Sequence, residues 1–334
     1  MDFRTPLESL LHTARVYEAS GRWSDVLGLL REHADAAKTH PELATLRGAA
    51  ELHTGHPREA QQWLEAALPR IERSGDRRAL RKAVNQLGVS EIELGALDSA
   101  ERRFGRALEL ARVDGDDLLV AQATNNMGAV ANIRGRRDEA LALYQLAIPA
   151  YQRLGNVAGL AQSFHNMAIS FRHLGQLDTA GEYETRAIRY AIECSNTSLL
   201  ALAWLERAEL LLEAGDPALA EVGALRAASQ FASVPNPIRQ ADALRALGTA
   251  RLALGRVGEA ASSLEHALEL ARSHGSRLVE AETLRVRAAT FVRTRELESA
   301  RSEIAMAIGI FGELGAERQL NEAIEWARSI WESN

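Results

Sequence analysis

The chain has 334 residues, 46% of them apolar and 25% charged, with a formal net charge of −6 at pH 7. That apolar share excludes a disordered chain, and the acidic balance lacks the basic excess with which nucleic-acid binders neutralise phosphates. Cys194 is the only cysteine, no signal pattern opens the chain, and no apolar run is long enough to span a bilayer; the expectation is a soluble, cytoplasmic protein with no nucleic-acid or membrane partner.

In chain order, the first predicted unit covers about 7–36, with Ala14 on one helix, Gly21 at a turn, and Trp23 and Leu30 on a second helix. From there the punctuation becomes regular. Gly55, Gly95, Gly135, Gly175, Gly215 and Gly255 stand 40 residues apart, and Arg295 fills the next slot. Five residues after each comes alanine, from Ala60 to Ala300, and seven further on another, from Ala67 to Ala307. Seven residues before each turn stands Gly48, Gly88, Gly128, Ala168, Ala208, Gly248 or Ala288. The spacing predicts units at about 37–76, 77–116, 117–156, 157–196, 197–236, 237–276 and 277–316. A capping helix at 317–332 follows, with Leu320, Ile324, Ala327 and Trp331 toward the last unit.

Each column has a physical reason. The turn glycine accepts the positive φ that reverses the chain between two helices. The other small residues mark close helix crossings, and Leu87, Leu94, Leu97, Phe104 and Leu108 recur between them at helical spacing. A second punctuation closes each unit: Gly75-Asp76, Gly115-Asp116, Gly155-Asn156, Ser195-Asn196 and Gly275-Ser276 read as a helix end followed by the N-cap of the next helix. Pro69 and Pro149 fall late in second helices and are expected to kink them. Pro235 and Pro237 interrupt the junction before 237–276, the expected site of a softer joint.

The chain holds no phosphate-binding glycine loop, no strand-linked dinucleotide fingerprint and no H-E-x-x-H. Its nine histidines do not pair at metal-ligand spacing, although His165 and His173 share one helix face. Glu193 beside Cys194 disfavours a thiolate. These readings predict a non-enzymatic protein without metal or cofactor, made almost wholly of repeats.

Leu87-Gly88, Ala100 and Phe104, and again Met127-Gly128, Ala140 and Tyr144, resemble the tetratricopeptide repeat. The likeness covers nearly the whole chain, with a period of 40 in place of 34 and no closing proline. It implies an all-α fold: a right-handed α-solenoid of about eight helix-turn-helix repeats in one domain, 1–334, plus the capping helix. It also implies a concave groove lined by first helices. The family's groove positions fall here on Lys82, Asn85, Gln86 and Glu93; on Gln122, Asn125, Asn126 and Asn132; and on Gln162, His165, Asn166, Arg172 and His173. Nine of these, Asn85, Asn125, Asn126, Asn132, Gln162, His165, Asn166, Arg172 and His173, are the candidate binding residues. Amides offer donors and acceptors to an extended backbone, while Arg172, Arg134 and Lys82 favour acidic groups. Asn in such places also serves simply to bond a neighbouring turn.

Further along, Leu202, Leu205 and Leu212 beside Glu206, Glu209 and Glu213 suggest either an apolar pocket with an acidic rim or ordinary packing. Arg245, Arg285 and Arg293 suggest a basic stretch. The cations of a chaperone-tail clamp are missing around Asn126. The expected function is a protein- or peptide-binding adaptor whose partner is an extended, partly acidic segment. The alternative is a peptide-responsive regulator acting through rearrangement of the superhelix.

Overall fold

The structure is a computed structural model, which describes residues 5–233 and 236–331. The protein is an all-α solenoid, and no strand occurs among the described residues. It opens with α1 (Pro6–Ala19), α2 (Trp23–Glu32) and α3 (Ala34–Thr39). Helix pairs follow: α4 (Pro41–His53) with α5 (Pro57–Ser74), α6 (Arg77–Glu93) with α7 (Leu97–Asp114), α8 (Asp117–Ile133) with α9 (Arg137–Arg153), and α10 (Val157–His173) with α11 (Leu177–Glu193). Beyond these lie α12 (Thr197–Glu213) with α13 (Pro217–Ser233), α14 (Pro237–Ala253) with α15 (Val257–Ser273), α16 (Arg277–Thr294) with α17 (Leu297–Leu314), and finally α18 (Glu317–Trp331).

The chain divides into two compact units, Met1–Asn196 and Thr197–Asn334. The division falls at a repeat junction. It does not fall at the expected soft joint: Phe231 of α13 packs in one core cluster with Ala243, Ala246 and Leu247 of α14, while Pro235 lies outside the described residues.

The small-residue column before each turn is explained by what lies opposite. A Cβ added at Gly48, Gly88, Gly128 or Gly248 would come within 2.5–2.6 Å of Leu64, Phe104, Tyr144 or Leu264, respectively. Each of those four side chains is buried on the second helix of the same pair. Such full burial stabilises by roughly 1.5–3 kcal/mol for a large apolar side chain. Where the first helix carries Ala208 or Ala288, the matching second-helix residue is Ala224 or Ile304, packed in the same cluster. At Ala168 the matching second-helix residue, in the same register, is Glu184, which is fully buried.

Turn glycines adopt the left-handed conformation as the spacing requires, with Gly55 at φ 81 and Gly215 at φ 81. Ser195 and Arg295 occupy two such positions without being glycine, at φ 52 and φ 65. The second punctuation works as capping: the side chains of Asp76, Asp116 and Asn156 accept from the backbone N–H groups of Ala79, Leu119 and Gly159 at 2.9, 3.1 and 2.7 Å. Ser276 makes no side-chain cap bond.

The first unit departs from the expected helix pair. In the first unit the second helix is broken at His33, whose φ of −108 and ψ of 44 are not helical, so 7–36 is not a simple helix pair. Pro69 and Pro149 sit inside α5 and α9, each exposed, and both helices run on past them. At the C-terminus, Ala323 is buried and Leu320 and Ala327 pack on the cluster of α16 and α17; the side chain of Trp331 lies outside the described residues.

Candidate functional site: the polar face of α6, α8 and α10

Helices α6, α8 and α10 are the first helices of successive pairs, and amide and hydroxyl side chains stitch them together. Asn126 on α8 donates through Nδ2 to Oδ1 of Asn85 on α6 at 3.3 Å. Ser163 on α10 donates through Oγ to Oδ1 of Asn125 on α8 at 2.9 Å. A face built this way holds its polar groups at a fixed repeat spacing.

The nine candidate residues separate by burial. Asn85, Asn126 and Asn166 are half-buried and Gln162 is exposed, so these four share an accessible face with Lys82 and Gln122, both half-buried. Asn125 is only 3% exposed and Asn132 only 9%. Asn125 is therefore occupied in joining α8 to α10. Arg172 and His173 are half-buried and already have interaction partners.

His165 marks a departure from the repeat. Its Nδ1 lies 3.3 Å from Oε1 of Glu184 on α11, and the Glu184 side chain is fully buried. The same column reads Leu64, Phe104, Tyr144, Ala224, Leu264 and Ile304 in the other pairs. A carboxylate is costly there unless partnered, and the imidazole is one partner it has. Glu184 escaped the sequence reading, although comparing the column would have exposed it. Beside this pair, Phe171 stacks on Tyr183 with centroids 5.1 Å apart, and Phe164 stacks on Tyr190 at 5.5 Å, so α10 and α11 are locked by aromatic contacts.

Arg134, expected to attract acidic groups, is engaged within the protein. Arg134 bonds the Glu101 carboxylate at 2.7 Å and also pairs with Asp98. In the second unit the expected basic stretch is overturned at Arg245. Its guanidinium is 2.6 Å from Glu209, 2.7 Å from Asp242 and 3.5 Å from Glu282. Burial opposes the charge on Arg245, yet the three carboxylates outweigh it and hold the group well above the ordinary arginine value. Burial pushes Glu282 upward, with Asp242 and Glu209 adding to the shift and Arg245 opposing it. The Arg245 guanidinium, bridging α12, α14 and α16, is an internal tie.

Leu205, expected either in a pocket or in packing, is buried in the cluster of α12, α13 and α14, with Leu202 packed against it. Among the described residues, no group of three or more His, Cys, Asp or Glu side chains is placed to hold a metal ion, and no helix is long and apolar enough to cross a membrane.

Comparison with known proteins agrees with this geometry. No curated protein matches the chain in sequence. Solved structures match in fold. A chain of the APC/C hetero-tetramer Cut9–Hcn1 aligns at TM-score 0.69 and 17% identity over 94% of this chain, which spans 55% of that one. A Rap protein complexed with Competence and Sporulation Factor aligns at TM-score 0.61 and 13% identity, over 98% of this chain and 96% of that one. A STAND signal-transduction ATPase with a tetratricopeptide-repeat sensor, from Pyrococcus horikoshii, aligns at TM-score 0.58 and 16% identity, over 89% of this chain and 46% of that one. The model of the MalT-like TPR region matches residues 105–308, more than half of the sequence. With repeat columns, helix pairs and family model in agreement, the chain belongs to the MalT-like tetratricopeptide-repeat family.

Proposed function

We propose that the protein is a non-enzymatic, cytoplasmic adaptor that binds an extended protein or peptide segment along the face of α6, α8 and α10. The observation that carries this reading is the amide row: Asn126 bonded to Asn85 across two helices, with Asn166 and Gln162 continuing it. Each primary amide offers two N–H donors and a carbonyl acceptor, so such a row suits the alternating donors and acceptors of a peptide backbone. Lys82 on the same face favours an acidic group in that segment.

A second reading, a peptide-responsive regulator, draws on the Rap protein, which aligns over nearly its whole length and was solved with a peptide factor. The two readings differ in what is bound and in what binding does. The test is affinity capture from a lysate of the source organism, run with wild type and with an Asn126→Ala, Gln162→Ala, Asn166→Ala variant. A protein retained by wild type and lost by the variant supports the adaptor. Equal retention by both refutes the amide face. If no protein is captured, but short peptides bind and change the scattering profile, the regulator reading replaces the adaptor.

A further inference from the structure

The first two turns of α6 carry Arg77, Arg78, Arg81 and Lys82, and these cations divide by face. Arg77 and Arg81, one turn apart, are engaged: Arg77 donates through Nε to Asp114, and Arg81 pairs with Asp114 and, at 2.9 Å, with Asp116. Arg78 and Lys82, also one turn apart, are exposed and half-buried, and neither has a hydrogen bond or ion pair among the described residues. A carboxylate that feels both is Glu42 on α4, but Arg15 already holds it through two bonds of 2.7 Å. That hydrogen bonding is the main cause that keeps Glu42 below the ordinary carboxylate range, and the charges of Arg78 and Lys82 lower it further.

The free pair is locally unfavourable where it stands. Like charges at i,i+4 repel, and the first turn of a helix disfavours cations. An anion over this face relieves both penalties and gains charge-assisted hydrogen bonds. Asn85 completes the strip, because 78, 82 and 85 follow the i, i+4, i+7 spacing of one helix face. Its Oδ1 already accepts from Asn126, which leaves its N–H groups to offer. The strip on α6 is therefore rich in donors, whereas Gln122 and Asn126 on α8 and Gln162 and Asn166 on α10 are neutral amides.

We infer that the segment bound on the face of α6, α8 and α10 carries two neighbouring acidic side chains at the end over α6, where Arg78 and Lys82 receive them, and neutral residues over α8 and α10. The inference rests on that face being a peptide groove, and it adds composition and register. Neighbouring helices pack about 8–10 Å apart and an extended chain rises about 3.3 Å per residue, so about three residues separate one helix from the next. The acidic pair therefore stands about three residues from the residue at Asn126 and about six from the one at Asn166.

Fluorescence anisotropy with labelled Ala/Ser peptides about nine residues long, capped at both termini, tests this. One set carries a Glu-Glu pair at either end, one carries it in the centre, and one carries none. At about 0.05 M salt, a peptide with the pair at one end is expected to bind about three- to tenfold tighter than the centred or neutral peptide, and the advantage fades at about 0.5 M. In an Arg78→Gln, Lys82→Gln variant, with circular dichroism unchanged, the advantage disappears while the neutral peptide binds as it does to wild type. An Asn126→Ala, Asn166→Ala variant weakens every peptide. An advantage that survives the Arg78→Gln, Lys82→Gln variant overturns the inference, as does a centred pair that binds as tightly as a terminal one. Equal binding of all the peptides also overturns it and leaves the amide groove standing. If none of them binds, the inference falls together with the groove.

Discussion

Replacing Arg245 by methionine removes the one cation held among Glu209, Asp242 and Glu282 while keeping most of the apolar stem. The Arg245 side chain is 12% exposed and its three partners are 20–23% exposed, so water shields the abandoned carboxylates only in part. Breaking a buried ion pair by removing one partner costs about 3–5 kcal/mol, and the upper half of that range fits a site that loses three partners at once. The pH dependence follows from Glu282, whose folded value lies above its ordinary one. The folded state therefore binds this proton more tightly than the unfolded state. That contribution favours folding at acid pH and is lost as pH rises through the raised value. Without Arg245 the upward push on Glu282 is unopposed by its main counter-charge, so the variant's deficit shrinks on acidification from pH 7 toward about pH 5. Urea denaturation at both pH values measures the deficit, and hydrogen exchange locates it in α12, α14 and α16. A deficit below about 1 kcal/mol at pH 7, the level of an exposed pair, refutes the reasoning; a deficit equal at both pH values refutes the role of Glu282.

Other expectations concern the repeat itself. Gly128→Ala places a Cβ 2.5 Å from the Tyr144 ring; overpacking of about 1–3 kcal/mol exceeds the gain of about 1 kcal/mol in helix propensity, so the thermal midpoint falls. Arg295→Gly relieves a left-handed residue at φ 65; the relief of about 1–2 kcal/mol outweighs an entropic cost of about 0.5–1 kcal/mol, and chemical denaturation should show a modest gain. Asp116→Ala removes both the cap on Leu119 N–H and a partner of Arg81 at 2.9 Å; the loss of the cap alone costs about 1 kcal/mol, read from the denaturation midpoint.

Helices, turns and caps were legible in the sequence because their causes are local. A glycine at φ 81, an aspartate three residues before the group it caps, or an alanine at a helix crossing acts within a single repeat, and repetition multiplies the signal. Even Arg295 in a glycine slot could be read as a turn, since the register left no other conformation for it. The fate of each polar side chain was not legible. Asn125 and Asn126 are adjacent and of one type, yet one is buried against Ser163 and the other half-exposed beside Asn85, with partners 38 and 41 residues away. Arg245 read as part of a basic groove until helices from three successive repeats brought carboxylates around it. The repeat, its register and its apolar columns can be read along the chain; which polar groups remain for a partner depends on the folded arrangement, because hydrogen bonds and ion pairs form between repeats and a one-dimensional pattern carries no distances across them.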